Sequence, residues 1–395
     1  MLKKYVLPTL VGICLSFTFH VYAHDDGAYN ADKHTLPEKM DWMKNIPDNT
    51  PLKHMSIPGT HRSGYALNRP EDASQAMDYM AQIKGGIRFI EVRVQHINST
   101  LSVFHAYVRE DDQECLAGRC GPRYVNLYET RCNYGCGRHP VYNMNVNDDI
   151  YTVQYGDGFG DEYRLSQLLS QLGEFLKAHP SETILLKLDP DYTYGDTYNN
   201  RGYNDSLRDE INRASDVVWT RDTENPTLKD VRGKVVIINN KPDYNSHELS
   251  FRMSDFNVQP NFNMGTNWDL YHRWELIKDK LEKAKDNKQS AIINYLTGTG
   301  GSYSYFVASG HSSPQNGAPR LMTGKTTPGW NDDVDFPRVN CLGALCSIAF
   351  EGMNTLTMEY LKKNKPTYAG IIVADFPGPN LIQSIIDSNP KITSK

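Results

Sequence analysis

The sequence predicts an α/β fold, specifically a distorted (β/α) barrel of the triose-isomerase type with a Cys-rich, disulfide-stapled insertion. Three observations lead to this prediction. Apolar, β-branched runs alternate with longer segments of helical periodicity, which implies parallel strands joined by helices. With six or more such strands in one domain, a closed barrel competes with an open, doubly wound sheet. No glycine-rich nucleotide-binding loop follows the first strand, so the competing open, doubly wound sheet is disfavoured.

The predicted strands are short apolar, β-branched runs. They cover residues 87–94, 101–104, 183–188, 234–239, 291–295 and 369–374.

Helical periodicity predicts helices over residues 166–178, 270–284 and 353–362. In the first of these, the apolar side chains fall on one broad face: Leu168, Leu169, Leu172, Phe175 and Leu176. Such a face predicts that the helix packs against the sheet.

Residues 109–162 break the alternation, since they are rich in Cys, Gly, Asn, Asp and Tyr and show little periodicity. We interpret them as an insertion that either covers the mouth of the active site or is a surface addition. Its four cysteines are Cys115, Cys120, Cys132 and Cys136. An oxidising compartment favours two disulfides over a zinc site, with the pairing left open. Cys341 and Cys346 are predicted to close a small loop.

The first 23 residues have the features of a cleaved signal peptide. Lys3 and Lys4 precede an apolar run from Tyr5 to Phe19, and Ala23 is a small residue that suits signal peptidase. The alternative is a membrane anchor, but the run is shorter than the roughly 20 residues of a spanning helix. We therefore expect a secreted or periplasmic protein.

Residues 24–395 are predicted to form a single domain, because the sequence contains no low-complexity linker and no internal repeat. The formal net charge is -5, and no Lys/Arg cluster stands out. This charge distribution argues against a nucleic-acid partner. We expect a monomer.

Polar side chains recur where the apolar strands end, and in a barrel such residues point into one pocket. They are His61, Glu91, Arg93, His105, Lys187, Asp189, Asn240, Lys241, Tyr295 and Asp375. Two histidines, an arginine and a carboxylate supply what in-line displacement at a phosphodiester requires: a base, an acid and a fixed cation for the phosphoryl oxygens. Imidazole titrates near neutrality, so one histidine can begin neutral and the other protonated.

Several segments also resemble the X region of the phosphatidylinositol-specific phospholipases C, in particular the secreted bacterial, metal-independent members. The most specific is Ser-Ile-Pro-Gly-Thr-His at residues 56–61, followed by Ser63 and Gly64. Residues 42–48, 86–93 and 175–183 are similar to flanking stretches of the family, and weaker similarity continues at 232–236, 300–302 and 372–376. The resemblance extends from about residue 39 to 377 and leaves the insertion out.

The resemblance implies a fold and a set of roles. His61 would be the general base that deprotonates the inositol 2-hydroxyl, with Asp375 orienting its imidazole. His105 would be the general acid that protonates the departing diacylglycerol oxygen, while Arg93 holds the phosphate. The products would be diacylglycerol and a cyclic inositol phosphate, formed at a membrane that contains phosphatidylinositol.

The resemblance also implies a substrate-binding set: Arg62, Glu91, Lys187, Asp189, Asn240, Lys241 and Tyr295. Calcium-dependent members carry an acidic ligand where Arg93 stands and an amide or carboxylate where Arg62 stands. Two arginines cannot ligate calcium. We therefore expect no metal and no other cofactor, and activity in the presence of a chelator.

One position departs from the family. Metal-independent members usually have Asp directly after the motif histidine, and that Asp supports the second histidine as an acid; here the residue is Arg62. Three interpretations remain open: Arg62 points at the substrate phosphate, Glu91 or Asp111 supports His105 instead, or activity is much reduced.

Two other functions stay open. A non-catalytic inositol-phospholipid binding protein on the same barrel would keep Arg93 and the lysines, yet would have no need for His61, His105 and Asp375 together. A metal-dependent glycerophosphodiesterase or sphingomyelinase-like barrel should bring several carboxylates together to bind magnesium.

Aromatic residues in Gly/Ser-rich stretches are candidates for contact with a lipid interface. They are Tyr303, Tyr305, Phe306 and Trp330.

Overall fold

The structure is a computed structural model. It describes residues 27–31, 36–64, 73–97, 99–103, 164–190, 201–220, 223–240, 251–259, 262–286, 291–314, 317–327 and 333–392, together with the backbone of five strands between residues 105 and 154. The predicted signal peptide, Asp111, Lys241 and Trp330 lie outside the described residues. So do the side chains of His105 and of Cys115, Cys120, Cys132 and Cys136, and the predicted disulfides or zinc site of that cluster stay untested.

The strands are β1 (Ile57–Thr60), β2 (Phe89–Ile97), β3 (Thr100–Val103), β4 (His105–Arg109), β5 (Glu114–Leu116), β6 (Arg119–Gly121), β7 (Tyr142–Val146), β8 (Asp149–Gln154), β9 (Ile184–Pro190), β10 (Val235–Asn239), β11 (Phe251–Arg252), β12 (Asn257–Gln259), β13 (Phe262–Met264), β14 (Ile292–Tyr295), β15 (Gly298–Gly300), β16 (Met322–Thr326), β17 (Arg338–Leu342), β18 (Leu345–Ala349) and β19 (Ile371–Ala374).

The α-helices are α1 (Tyr79–Lys84), α2 (Leu165–Ala178), α3 (Tyr203–Asn212), α4 (Leu228–Val231), α5 (Leu270–Asp286), α6 (Ser304–Ser309), α7 (Met353–Asn364) and α8 (Pro379–Asp387). The three predicted helices correspond to α2, α5 and α7, each within two residues at both ends. Among the described residues, no helix combines the length and the hydropathy needed to cross a bilayer.

The main sheet confirms the predicted parallel α/β architecture but not the closed barrel. Its strands run in the order β11, β10, β9, β2, β1, β19, β14, β12, and every neighbouring pair in this order is parallel. The two edge strands, β11 and β12, do not pair with each other. The chain between them is the short 3₁₀ helix Met253–Asp255, which is too short to be a crossover helix. The sheet is therefore curled and open on one side.

The strand predicted at residues 101–104 has a different role from the one expected. β3 is antiparallel to β2, with Val94 opposite Val103 and Ile97 opposite Thr100. Only two residues separate the two strands, and Ser99 there has a φ of 59°. A parallel crossover needs a dozen or more residues, so this connection can only be a hairpin. His105 accordingly begins β4 and does not end a barrel strand.

Two apolar clusters cover the convex, helix-packed face of the sheet. In one, Ile90, Val92 and Leu186 pack against α2 and α3. In the other, Ile372 packs among residues of α5 and α7. Because side chains alternate along a strand, the residues between these point to the concave face.

The insertion contains more regular structure than its sequence indicated. β4, β8 and β7 form a three-stranded antiparallel sheet, and β5 and β6 form a hairpin in which Cys115 lies opposite Cys120. The low periodicity of the sequence hid these strands, since short hairpins need few apolar residues.

The disulfide Cys341–Cys346 is present, as predicted, across the hairpin of β17 and β18. This hairpin belongs to a small antiparallel sheet with β16. Its tip carries two exposed apolar side chains, Leu342 at 83% and Leu345 at 50% exposure.

Candidate active site

The concave face of the sheet is apolar at its base and polar toward the C-terminal ends of the strands. The base consists of Ile57, Phe89, Leu185, Val236, Ile293 and Ile371, which form one buried cluster. Two residues further along β2, Glu91 lies opposite Lys187, and two residues beyond that, Arg93 lies opposite Asp189. The strand period of two thus places the predicted charged groups on the pocket side above an apolar floor.

His61 and Asp375 are held together by the register of two neighbouring parallel strands. Thr60 is opposite Ala374, so the next residue of each strand lies side by side. The backbone N–H of His61 donates to the Ala374 carbonyl at 3.1 Å. The Nδ1 atom of His61 is 2.9 Å from Oδ1 of Asp375, and both side chains are buried. Because Nδ1 is engaged by the carboxylate, Nε2 is the nitrogen available for chemistry.

The chain turns sharply directly after each member of this pair. Arg62 has a φ of 43° and Phe376 a φ of 47°. Both values lie in the left-handed region, which residues other than Gly rarely adopt. Gln75, which the sequence did not single out, donates to the carbonyls of His61 at 2.7 Å and Ala374 at 3.1 Å. Strained turns held by buried hydrogen bonds are typical of functional sites.

A buried charged cluster lies next to His61. Oε2 of Glu91 accepts hydrogen bonds from Nζ of Lys187 at 2.8 Å and from the hydroxyl of Tyr295 at 2.7 Å. Its other oxygen is 3.8 Å from Nε2 of His61 and 3.4 Å from the backbone nitrogen of Arg62. Glu91 therefore connects the predicted base to the predicted substrate-binding residues.

The electrostatics of this cluster keep it ionised. Burial by itself raises the pKa of Glu91, but the charges of Lys187 and His61 and the hydrogen bonds from Lys187 and Tyr295 lower that pKa to about 2. Burial opposes the charge of Lys187 too, yet Glu91 and Asp189 raise the pKa of the amine well above its usual value. Burial and the carboxylate of Glu91 raise the pKa of Tyr295, so its hydroxyl stays protonated.

The polar network continues to the next strand. Lys187 also donates to Oδ2 of Asp189 at 2.8 Å, and the side-chain amide of Asn240 donates to Oδ1 of Asp189 at 2.6 Å. Asp189 and Asn240 are less buried than Lys187, so their remaining hydrogen-bonding capacity faces the pocket.

An open pocket of ≈ 440 Å³ lies at this end of the sheet. It is lined by His61, Arg62, Glu91, Arg93, Lys187, Asp189, Asn240, Met253, Val258 and Tyr295. Eight of these ten were predicted from the sequence. Asp375 is behind His61 and does not line the pocket, and the side chain of His105 lies outside the described residues.

Met253 and Val258 were missed. Met253 begins the short 3₁₀ helix that links β11 to β12, and Val258 lies in β12 itself, at the open side of the sheet. That segment has neither a sequence motif nor a clear periodicity, so no signal in the sequence could place it at the pocket. The two side chains give the pocket an apolar wall opposite its charged groups.

Among the described residues, no group of three or more His, Cys, Asp or Glu side chains is arranged to hold a metal ion. Two carboxylates from the described part of the chain line the pocket. Glu91 accepts hydrogen bonds from Lys187 and Tyr295, and Asp189 accepts them from Lys187 and Asn240. The pocket carries two guanidinium groups, from Arg62 and Arg93, where a metal site would need acidic ligands.

Comparison with known proteins adds independent findings. Residues 48–241 match the family described as "Phosphatidylinositol-specific phospholipase C, X domain". The chain is 27% identical over 256 residues to a 1-phosphatidylinositol phosphodiesterase of Listeria monocytogenes, covering 60% of this chain and 62% of that protein. It is 23% identical over 324 residues to the protein of that name from Staphylococcus aureus strain Newman, covering 73% of this chain and 86% of that one. The match thus spans less than two thirds of the Listeria relative.

Two solved structures have a similar fold. A phosphatidylinositol-specific phospholipase C from Staphylococcus aureus superposes with a TM-score of 0.53 at 20% identity, covering 89% of this chain and 97% of that chain. The enzyme of the same name from Listeria monocytogenes gives a TM-score of 0.51 at 20% identity, covering 90% and 100%. At this identity the likeness concerns the fold.

Proposed function

The chain belongs to the family of phosphatidylinositol-specific phospholipase C X domains, and from this premise we propose that it is a phosphodiesterase that cleaves phosphatidylinositol-type lipids. The products are diacylglycerol and a cyclic inositol phosphate. The observation that carries the proposal is the buried pair of His61 and Asp375, whose free imidazole nitrogen faces a pocket lined by two arginines.

In the first half of the reaction, Nε2 of neutral His61 takes the proton of the inositol 2-hydroxyl as that oxygen attacks phosphorus. Asp375 holds the imidazole in the tautomer that leaves Nε2 unprotonated, and it stabilises the imidazolium that forms. The carboxylate of Glu91 lies 3.8 Å from Nε2, so a second negative charge is close to the positive charge that develops on the ring during proton transfer.

Charge that develops on the phosphoryl oxygens needs fixed cations. Arg93 follows Glu91 by two residues on β2, so it projects to the same side at the outer part of the pocket. Its guanidinium can contact two phosphoryl oxygens at once. We assign Arg62 to the phosphate as well, since it lines the same pocket beside His61.

In the second half, the bond between phosphorus and the glycerol oxygen breaks and His105 protonates the departing oxygen. The strand register supports this role. Val94 of β2 pairs with Pro190 and also with Val103, so β3 lies along the edge of β2 that β1 occupies lower down. β3 then runs back toward the end of β1, and His105 follows two residues after Val103. The two histidines would thus come from neighbouring strand ends.

The inositol ring has hydroxyls to be recognised, and the pocket offers matching polar groups. Lys187, Asp189 and Asn240 form a connected hydrogen-bonded row along one wall. We propose that this row, with Glu91, Tyr295 and Lys241, binds the inositol hydroxyls. The protein would need no metal or other cofactor for this chemistry, because the guanidinium groups supply the positive charge.

We further propose that the protein acts at a membrane surface outside the cytoplasm, consistent with the predicted signal peptide. Of the aromatic candidates, Tyr305 and Phe306 are buried, whereas Tyr303 is 53% exposed. Exposed apolar groups also include Leu342 and Leu345 at the disulfide-closed hairpin tip, in the connection that leaves the pocket end of β14. Such side chains can insert into a lipid interface.

The test is to incubate the mature protein with phosphatidylinositol vesicles in excess EDTA and to follow the products by phosphorus NMR. We expect the cyclic phosphate from the parent and from His272→Ala, a control at an exposed histidine of α5, and none from His61→Ala. Intact lipid in EDTA and after added calcium or magnesium would overturn the proposal and favour a binding protein. Cleavage only with added metal would favour a metal-dependent phosphodiesterase.

A further inference from the structure

A segment near the start of the described chain is paired with the turn that carries Asp375. Residues 27–31, here called the N-terminal strap, run antiparallel to the residues after β19, with Tyr29 opposite Pro377. The N–H of Asn30 donates to the carbonyl of Phe376 at 2.9 Å. The rings of Tyr29 and Phe376 are 5.6 Å apart. These contacts connect parts of the chain that are more than 300 residues apart in sequence.

The strap also holds the end of the turn and the first residues of α8. The carbonyl of Ala28 accepts a hydrogen bond from the N–H of Gly378 at 2.7 Å. The carbonyl of Gly27 accepts from the N–H groups of Asn380 at 2.6 Å and Leu381 at 3.2 Å, in the first turn of α8. Helix N-termini have unpaired N–H groups, so the strap satisfies two of them. Backbone hydrogen bonds from the strap therefore hold the turn at Phe376 and at Gly378.

The side chain of Asp375 depends on this turn for its orientation. Oδ1 contacts His61, whereas Oδ2 has no hydrogen-bond partner among the described residues. Besides its hydrogen bond to His61 and the nearby charge of Arg273, the orientation of the carboxylate thus depends on the backbone of the turn. The next residue, Phe376, has a φ of 47°, a conformation that persists only where surrounding contacts impose it. Those contacts include Asn30 of the strap and the side-chain amide of Asn354.

The approach between strap and turn is close enough to require glycine. A Cβ atom at Gly378 would lie 2.6 Å from the carbonyl oxygen of Gly27 and 2.6 Å from the backbone nitrogen of Tyr29. Gly378 itself has an ordinary φ of -85°, so only the strap excludes a side chain there.

We propose that the N-terminal strap is a positioning element for the reaction: it holds the 375–378 turn so that Asp375 orients His61. The backbone N–H of Asn30 then acts through Asp375, and the side chain of Asn30 has no part in this role. This inference rests on the proposed function for its kinetic consequence, but its structural consequence, the hydrogen bond between Asp375 and His61, can be measured without substrate.

The test compares two substitutions at one position in the mature chain. Asn30→Pro removes the N–H that donates to Phe376, whereas Asn30→Ala keeps it. We expect Asn30→Pro to lower kcat on phosphatidylinositol roughly ten- to 100-fold with KM within about twofold, since a small misplacement of a catalytic group costs that much. Asn30→Ala should retain the parental kcat. Equal loss in both variants would contradict a role for the backbone contact.

The second readout is the proton NMR resonance of the hydrogen-bonded Nδ1–H of His61, assigned by its absence from His61→Ala. We expect this resonance in the parent and in Asn30→Ala, and its loss in Asn30→Pro. Its retention in a folded Asn30→Pro protein would overturn the inference. If the parent does not cleave phosphatidylinositol, the proposed function fails. The resonance still tests whether the strap positions Asp375 against His61.

A second variant covers the case in which Asn30→Pro does not fold. Gly378→Ala should displace the strap and also weaken the resonance. Its matched control is Gly202→Ala, which likewise precedes a helix with an extended backbone, but whose added Cβ would have no atom closer than 4.0 Å. An unchanged resonance and kcat in Gly378→Ala would contradict the proposal.

Discussion

The Nδ1 atom of His61 lies 2.9 Å from Oδ1 of Asp375, although 314 residues separate the two in sequence. Both residues follow directly after paired strand ends, so the hydrogen bond is a consequence of the register between β1 and β19. Replacing Asp375 by Asn keeps the shape of the side chain and removes its charge. We expect kcat to fall roughly 100-fold or more, because the imidazole loses both its tautomer and the stabilisation of its protonated form.

Steady-state kinetics on phosphatidylinositol micelles would measure this change. The control is Asp387→Asn, an exposed carboxylate at the end of α8, which should leave kcat unchanged. Full activity in Asp375→Asn would remove Asp375 from the mechanism.

The lowered pKa of Glu91 predicts that the stability of the fold depends on pH. Its pKa is about 2 in the folded protein against an ordinary value of 4.5, so the carboxylate stabilises the fold above about pH 4.5 and loses this effect as the pH falls toward 2. The difference corresponds to roughly 3 kcal/mol. In Glu91→Gln the stability deficit should be largest at pH 7 and should shrink at pH 3.

Urea unfolding of the parent and of Glu91→Gln at both pH values checks this prediction. Glu275→Gln, at an exposed carboxylate of α5, is the control and should match the parent throughout. A deficit that does not change with pH would mean that Glu91 acts through packing alone and not through its charge.

Arg93 is predicted to supply the positive charge that calcium supplies in the calcium-dependent members of the family. Arg93→Lys keeps the positive charge but loses the planar fork, so we expect kcat to drop roughly 100-fold. Activity should be equal in EDTA and in calcium, for the parent and for the variant. If added calcium restored the activity of Arg93→Lys, the pocket would be able to bind a metal.

Arg62 tests the departure from the family pattern. If its guanidinium contacts the substrate phosphate, Arg62→Ala should raise KM roughly tenfold, and Arg62→Asp should reduce kcat/KM further because a carboxylate would repel the phosphate. Initial rates over a range of substrate concentrations separate these parameters. A gain in kcat for Arg62→Asp would instead mean that an Asp at this position supports His105 as the acid, as the family pattern implies, and that Arg62 does not replace it.

The exposed hairpin tip predicts how the protein meets a membrane. Leu342→Asp should reduce partitioning onto phosphatidylcholine vesicles roughly tenfold or more, since a leucine side chain gains free energy when it leaves water. Ile392→Asp is the matched control, because Ile392 is also an exposed apolar residue, at 58%. Its backbone N–H donates to the carbonyl of Asn45, which places it near the N-terminal ends of the strands, away from the pocket. Vesicle sedimentation measures both. An equal effect of the two changes would exclude a specific role for the tip.

Much of the pocket could be predicted from the sequence. Strand ends in an α/β sheet converge, so the polar residues that end apolar runs were expected to meet, and Glu91, Arg93, Lys187, Asp189 and Tyr295 do line one pocket. The positions of the six predicted strands and of α2, α5 and α7 followed from hydrophobic periodicity, because each of these elements buries one or both of its faces against the others.

Two features of the fold could not be predicted in this way. Whether the sheet closes depends on the pairing of β11 with β12, two very short strands with no periodicity of their own. The direction of β3 depends on the length of the turn before it, and an apolar run looks the same in either direction.

The sequence by itself predicted most of the residues that line the pocket, because the types and spacing of side chains at strand ends are local properties. Only the tertiary structure decided how those residues are held. The strap that pairs with the turn after Asp375, the glutamine that fixes the carbonyl of His61, and the cation and hydroxyl that keep Glu91 ionised are contacts between distant parts of the chain. Such contacts leave no periodic signal, since their energy depends on backbone hydrogen bonds and buried charges whose partners are set by the fold.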